Sequence, residues 1–134
     1  MGATRMKLFL VDTNVLIYAL AGKKPWAQHL QKWIENKQLA LSSIVVAEFL
    51  TGASEDEAKT FEALLDRFGS LPVDTITARF AAQYRQTYLK KGNKLKLPDC
   101  LIAATCKIYQ ATLVTFNVAD YPMRDISLFK LPKD

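Results

Sequence analysis

One histidine and two cysteines are all that this 134-residue chain offers in imidazole or thiol groups. That scarcity excludes a zinc site of the usual kind, which needs four such ligands. Cys100 and Cys106 lie six residues apart in helix-patterned text, about 9 Å along a helix axis and on different faces, so they cannot pair. They are read as reduced core residues, which suits the cytosol. Long hydrophobic runs are missing too. The apolar run before Asp12 is only Leu8-Phe9-Leu10-Val11, too short for a signal peptide or a membrane span. No repeat, low-complexity tract or Pro/Ser-rich linker divides the chain, so residues 1–134 are read as one domain, long enough to bury a core. Gly2-Ala3-Thr4-Arg5 adds no pattern, and Met6 is a candidate native start.

What is present is an ordinary globular composition, 50% hydrophobic and 23% charged. Eighteen Lys plus Arg against thirteen Asp plus Glu leave a net charge of +5. Three of the acids stand in apolar text. Asp12 follows Leu8–Val11, Glu48 is the only polar residue between Ile44 and Leu50, and Asp99 precedes Cys100-Leu101-Ile102-Ala103-Ala104. A fourth, Asp120, follows Ala111-Thr112-Leu113-Val114-Thr115. Desolvated carboxylates are costly unless something pairs with them. No Lys or Arg is embedded beside these four, so a shared divalent cation is the natural counter-charge. With the four set aside, the remaining surface is strongly basic, as expected of a protein that draws a polyanion to such a site; the plainer reading is that +5 only aids solubility.

Strand-like runs sit at Lys7–Val11, Leu39–Leu41, Ser70–Val73, Thr112–Thr115 and Ile126–Phe129. Helical patterns fill the spaces at Asn14–Leu20, Trp26–Asn36, Ile44–Leu50, Glu55–Phe68, Thr75–Lys91 and Pro98–Tyr109. This alternation predicts an α/β fold, a three-layer α/β/α sandwich on a mainly parallel sheet of about five strands. In such sheets ligands gather at the carboxyl ends of strands, where Asp12 and the Thr115–Asp120 segment fall, and all four acids can meet at that rim.

Each acid also has a local explanation. Asp12 can cap the helix that follows it, Asp99 can favour the positive end of a helix dipole, and Asp120 can end a turn. Asp74, before Thr75-Ile76-Thr77, is an ordinary helix cap and serves as a control. Glu48 has no such local role, leaving a distant salt bridge as its plain alternative.

The segments Val11-Asp12-Thr13-Asn14, Ser42/Ser43 leading to Glu48, Leu97-Pro98-Asp99-Cys100-Leu101-Ile102-Ala103-Ala104, and Leu113-Val114-Thr115-Phe116-Asn117-Val118-Ala119-Asp120-Tyr121 occur in the order of the PIN domain. The chain resembles its small VapC-type toxin ribonucleases over nearly its whole length. Tyr121 departs from the commoner Phe, and the family varies between Asp and Asn at Asn117. The resemblance implies a PIN-like fold and metal-dependent hydrolysis of RNA. Asp12, Glu48, Asp99 and Asp120 would hold one or two Mg²⁺ or Mn²⁺ ions, hard cations suited to oxygen ligands. Thr13, Asn14, Thr115 and Asn117 would orient acids or substrate. It also implies a cognate antitoxin as partner and a homodimer.

Lys90, Lys91, Lys94 and Lys96 precede Asp99 and could contact phosphates, although lysines at a helix end also suit its dipole. With His29 alone, a metal-free mechanism built on paired histidines is excluded. His29 lies between Trp26 and Trp33 at helical spacing, and the Trp26, Leu30 and Trp33 stripe reads first as a core face and second as a protein interface. Two rivals stand beside the nuclease. One is a catalytically silent PIN-like RNA-binding or scaffold module. The other is a receiver- or phosphatase-like phosphoryl-transfer domain, disfavoured because Asp12-Thr13-Asn14 lacks a second Asp two residues on.

Overall fold

The computed structural model describes residues 6–131, so Gly2–Arg5 lie outside the described residues. The elements follow the order β1 (Leu8–Val11), α1 (Thr13–Leu20), α2 (Trp26–Glu35), β2 (Leu39–Ala40), α3 (Ser43–Gly52), α4 (Glu55–Phe68), α5 (Thr75–Lys90), α6 (Leu97–Tyr109), β3 (Ala111–Val114), a 3-10 turn (Val118–Asp120) and β4 (Ser127–Leu128). The sheet order is β2-β1-β3-β4 and every pairing is parallel. Side chains on a strand alternate between faces, yet Phe9, Leu10, Val11 and the whole of β3 are buried. Both faces of the sheet are therefore covered by helices, as the unalternating apolar runs require.

Among the described residues the sheet has four strands where about five were expected. Ser70–Val73 contributes a single parallel bridge, Leu71 to Ser42. Leu71 donates to the Leu41 carbonyl at 2.7 Å and its own carbonyl accepts from the Ser43 amide at 3.0 Å. The pairing stops there because the partner chain turns into α3 at Ser43, while Asp74 already caps α5 through Thr77 N–H at 3.0 Å. The Asp74 control thus does what local sequence said.

Helix ends follow their sequence signals. Ser54 and Glu57 form a reciprocal capping box on α4, and the Ser42 hydroxyl caps α3 through Val45 N–H. Leu97, rather than Pro98, is the first residue of α6. Leu30 and Trp33 are buried, Trp33 stacks on Phe9 at 4.7 Å between ring centres, and Phe129 meets Trp33 edge-on. The aromatic stripe is therefore a core face, and His29 packs against Trp33 as part of it. Cys100 and Cys106 are buried and unpaired. Among the described residues, no helix is long and apolar enough to cross a membrane.

The strand order fixes where a site can form. The chain leaves β1 toward β2 on one side and finds β3 on the other. The crevice between the carboxyl ends of β1 and β3 is thus the point at which the winding reverses.

Candidate functional site

Asp12 is the residue after β1 and Thr115 the residue after β3. Their strands pair residue for residue, with Leu10 opposite Leu113 and Val11 opposite Val114. The ladder runs one bond further, Asp12 N–H to the Val114 carbonyl at 2.9 Å. This register sets the Asp12 side chain beside Thr115, whose buried hydroxyl donates to Asp12 Oδ2 at 2.8 Å. Asp12 Oδ1 accepts from the Thr13 amide at 2.9 Å, so the residue also caps α1. The capping role and the placement in the crevice coexist in one side chain.

Thr13 extends the network, its hydroxyl donating to Glu48 Oε1 at 3.1 Å. Glu48 projects from α3 and is exposed, so its apolar neighbours in sequence did not signal burial. They line the other faces of the helix, with Val45 and Phe49 buried. Asp99 is half-buried in the first turn of α6 and accepts at Oδ1 from the Tyr121 hydroxyl at 3.2 Å. Asp120 is exposed in the 3-10 turn.

Electrostatics tie the acids together where hydrogen bonds do not. Burial raises the Asp99 carboxyl above its ordinary range; the Tyr121 hydrogen bond opposes this, the Asp120 and Asp12 charges add to it, and Lys96 opposes it. A group that feels two other carboxylates in this way lies where nearby negative charge weighs against its ionisation. Among the described residues the one ion pair is Lys107 to Asp125 at 3.8 Å, and it involves none of the four acids. Burial first, and Asp12 second, pushes the Cys106 thiol up to about 12.

The structure therefore brings Asp12, Asp99 and Asp120 into one electrostatic field and links Glu48 to it through Thr13. Of the expected helpers, Thr13 and Thr115 make direct bonds. Asn117 joins through its backbone amide, which donates to Thr115 Oγ1 at 3.1 Å. Asn14 is exposed in the first turn of α1, and Lys94 is exposed ahead of α6. Lys96 occupies the N-cap position of α6, close enough for its charge to act on Asp99.

One participant escaped sequence reasoning. Tyr121 is buried and its hydroxyl holds Asp99, and burial and the nearby acids keep that hydroxyl protonated. Its signal was the phenol at a position where Phe is commoner. The donor set suits a hard divalent cation, being oxygen throughout, and none of the four acids makes an ion pair among the described residues. Among the described residues, however, no three His, Cys, Asp or Glu side chains already stand together as a ready metal-binding group.

The PIN domain model matches residues 9–119. Ribonuclease VapC10 of Mycobacterium tuberculosis is 33% identical over 116 residues, 87% of each chain. Ribonuclease VapC19 of the same organism is 31% identical over 115 residues, 85% of this chain and 92% of its own. The fold is similar to that of VapBC2 from Rickettsia felis bound to a DNA fragment from their promoter. There the TM-score is 0.79 at 23% identity, covering 93% of this chain and 99% of that one.

Proposed function

The chain belongs to the PIN domain family, and from that premise we propose that it is a metal-dependent endoribonuclease, the toxin of a type II toxin–antitoxin pair. The observation that carries this reading is the network at the carboxyl ends of β1 and β3, where Thr115 and Thr13 hold Asp12 and Glu48, Tyr121 holds Asp99, and the Asp12 and Asp120 charges act on Asp99. Relatives named ribonucleases match over most of the chain, and a neighbour in structure is a VapBC complex. An antitoxin partner, a homodimer and a cytosolic setting belong to the same proposal.

Asp12, Glu48, Asp99 and Asp120 are the residues that would hold one or two Mg²⁺ or Mn²⁺ ions. When bound, such an ion supplies Lewis acidity toward a phosphodiester oxygen and toward water. The chain's own residues prepare for it. Thr115 and the Thr13 amide each fix one oxygen of Asp12. The Thr13 hydroxyl holds one oxygen of Glu48, and Tyr121 holds Oδ1 of Asp99, leaving Oδ2 free of that bond. Repulsion among these acids opposes their approach until a cation offsets it.

The test is digestion of RNA with and without EDTA, followed by mapping of the cleaved ends. Cleavage should need Mg²⁺ or Mn²⁺ and should fall by about 10²-fold or more in Asp12→Asn or Asp99→Asn, since loss of several kcal/mol of charge stabilisation is involved. Cleavage unaffected by EDTA would refute the mechanism. Metal-dependent RNA binding without cleavage would favour the silent module instead.

A further inference from the structure

A second concave surface lies away from the acids. Helix α5 and the Arg124–Asp125 segment enclose a groove of about 930 Å³, lined in part by Tyr84, Tyr88, Lys90, Lys91, Arg124 and Asp125. Lys90 ends α5 and Lys91 caps it, which accounts for their place in the sequence. It does not account for Arg124, which reaches the same groove from a segment more than thirty residues later.

The charge in this groove is one-sided. Lys90, Lys91 and Arg124 make no ion pair among the described residues. The carboxylate present, Asp125, is already engaged, accepting from the Tyr84 hydroxyl at 2.8 Å and facing Lys107 at 3.8 Å. The Lys91 ammonium sits 5.0 Å from the Tyr88 ring centre, which places the charge at the wall of the groove. Polar walls and three cations without an ion pair among the described residues suit a polyanion far better than an apolar protein face.

The groove is also tied to the acid cluster. Tyr121 holds Asp99, and the next carbonyl, that of Pro122, accepts from the Tyr88 hydroxyl at 3.0 Å. From Tyr121 to Arg124 the chain spans at most about 11 Å, so Arg124 lies within a few nucleotides' reach of the residue that holds Asp99. We propose that this groove is a phosphate-binding subsite that grips the RNA strand a few nucleotides from the bond being cut. The proposal rests on the ribonuclease reading above. The subsite would add affinity and set a minimum substrate length without reading sequence.

The experiment uses the full-length protein in EDTA, so that RNA is bound and not cut. Affinities for fluorescent oligouridines of 4 and 12 nucleotides are measured between 50 and 200 mM salt, for the wild type and for a Lys90→Gln/Lys91→Gln/Arg124→Gln variant. The wild type should prefer the longer RNA, and the variant should bind both lengths alike. For the 12-mer, the slope of log affinity against log salt should shrink by about 2 in the variant, at ~0.7 per lost phosphate contact. The wild type should thus lose roughly 20-fold more affinity across that salt range than the variant does. Equal slopes would overturn the proposal, as would a change in oligomeric mass with the slope intact, which would mark a protein interface. If the triple variant melts early, Arg124→Gln alone carries the comparison, with about a third of the slope change expected and an unchanged slope overturning the proposal. Cleavage of the 12-mer by wild type in Mn²⁺ is scored separately, and its absence would sink the nuclease reading.

Discussion

Tyr121→Phe removes one oxygen atom and should be felt at the acid cluster. The ring stays buried where Phe is the commoner residue, so packing is kept and the chain should fold. What is lost is the hydroxyl that donates to Asp99 Oδ1 at 3.2 Å. A hydrogen bond to a charged acceptor contributes about 1.5–3 kcal/mol. The bond is long and Asp99 is only half-buried, so the lower end applies, about 1.5 kcal/mol. Without metal, that loss should lower the melting temperature by roughly 3–6 °C for a chain of this size. With metal, a ligand whose orienting partner is removed loses affinity by about 10-fold. Calorimetric titration with Mn²⁺ and the metal dependence of the cleavage rate both read this out. A variant that binds Mn²⁺ within twofold of wild type and melts at the same temperature would refute a positioning role for Tyr121.

Two further outcomes follow from the same pocket. Because burial and neighbouring acids raise the Asp99 carboxyl, the metal-free folded protein retains a proton that the unfolded chain has released above its ordinary value of 3.8. That contribution to stability falls as pH rises through the raised value. In EDTA, Asp99→Asn should therefore gain on wild type in urea midpoint across this window, and Mn²⁺ at neutral pH should favour wild type; a gain on going to lower pH would contradict the sign. Cys106, pushed up to about 12, and Cys100, raised by burial and by Asp99, should resist a thiol reagent at pH 8 until urea unfolds the chain. Rapid labelling of the native protein would show that α6 opens.

How much of this was legible in the sequence depended on the distance over which each feature is determined. The Asp74 cap was local and came out as read. The core strands β1 and β3 were legible because both faces of each are covered, which leaves unbroken apolar text. Ser70–Val73 looked like a strand, but pairing needs a partner, and its partner becomes a helix after one rung. Glu48 was singled out correctly as lacking a local role, yet its apolar surroundings suggested burial when they only describe the other sides of α3. Asp12 showed that a helix cap and a pocket acid need not be alternatives. Tyr121 stood out only as a phenol where Phe is commoner, and its role was hidden because nothing along the chain says that residue 121 meets residue 99.

The bond from Thr115 to Asp12 joins positions 103 residues apart, which gives the site a place in time as well as in space. A chain still emerging from the ribosome can wind α1 and cap it with Asp12, yet it lacks the hydroxyl that completes the hold on that carboxylate. Tyr121, which steadies Asp99, is synthesised later still. The helices between form from local contacts, whereas closure of β1 against β3 must await nearly the whole chain. On the proposed reading, a chain assembled in this order would lack a complete site through most of its own synthesis, and a truncated product ending before β3 would carry Asp12, Glu48 and Asp99 without Thr115 and Tyr121.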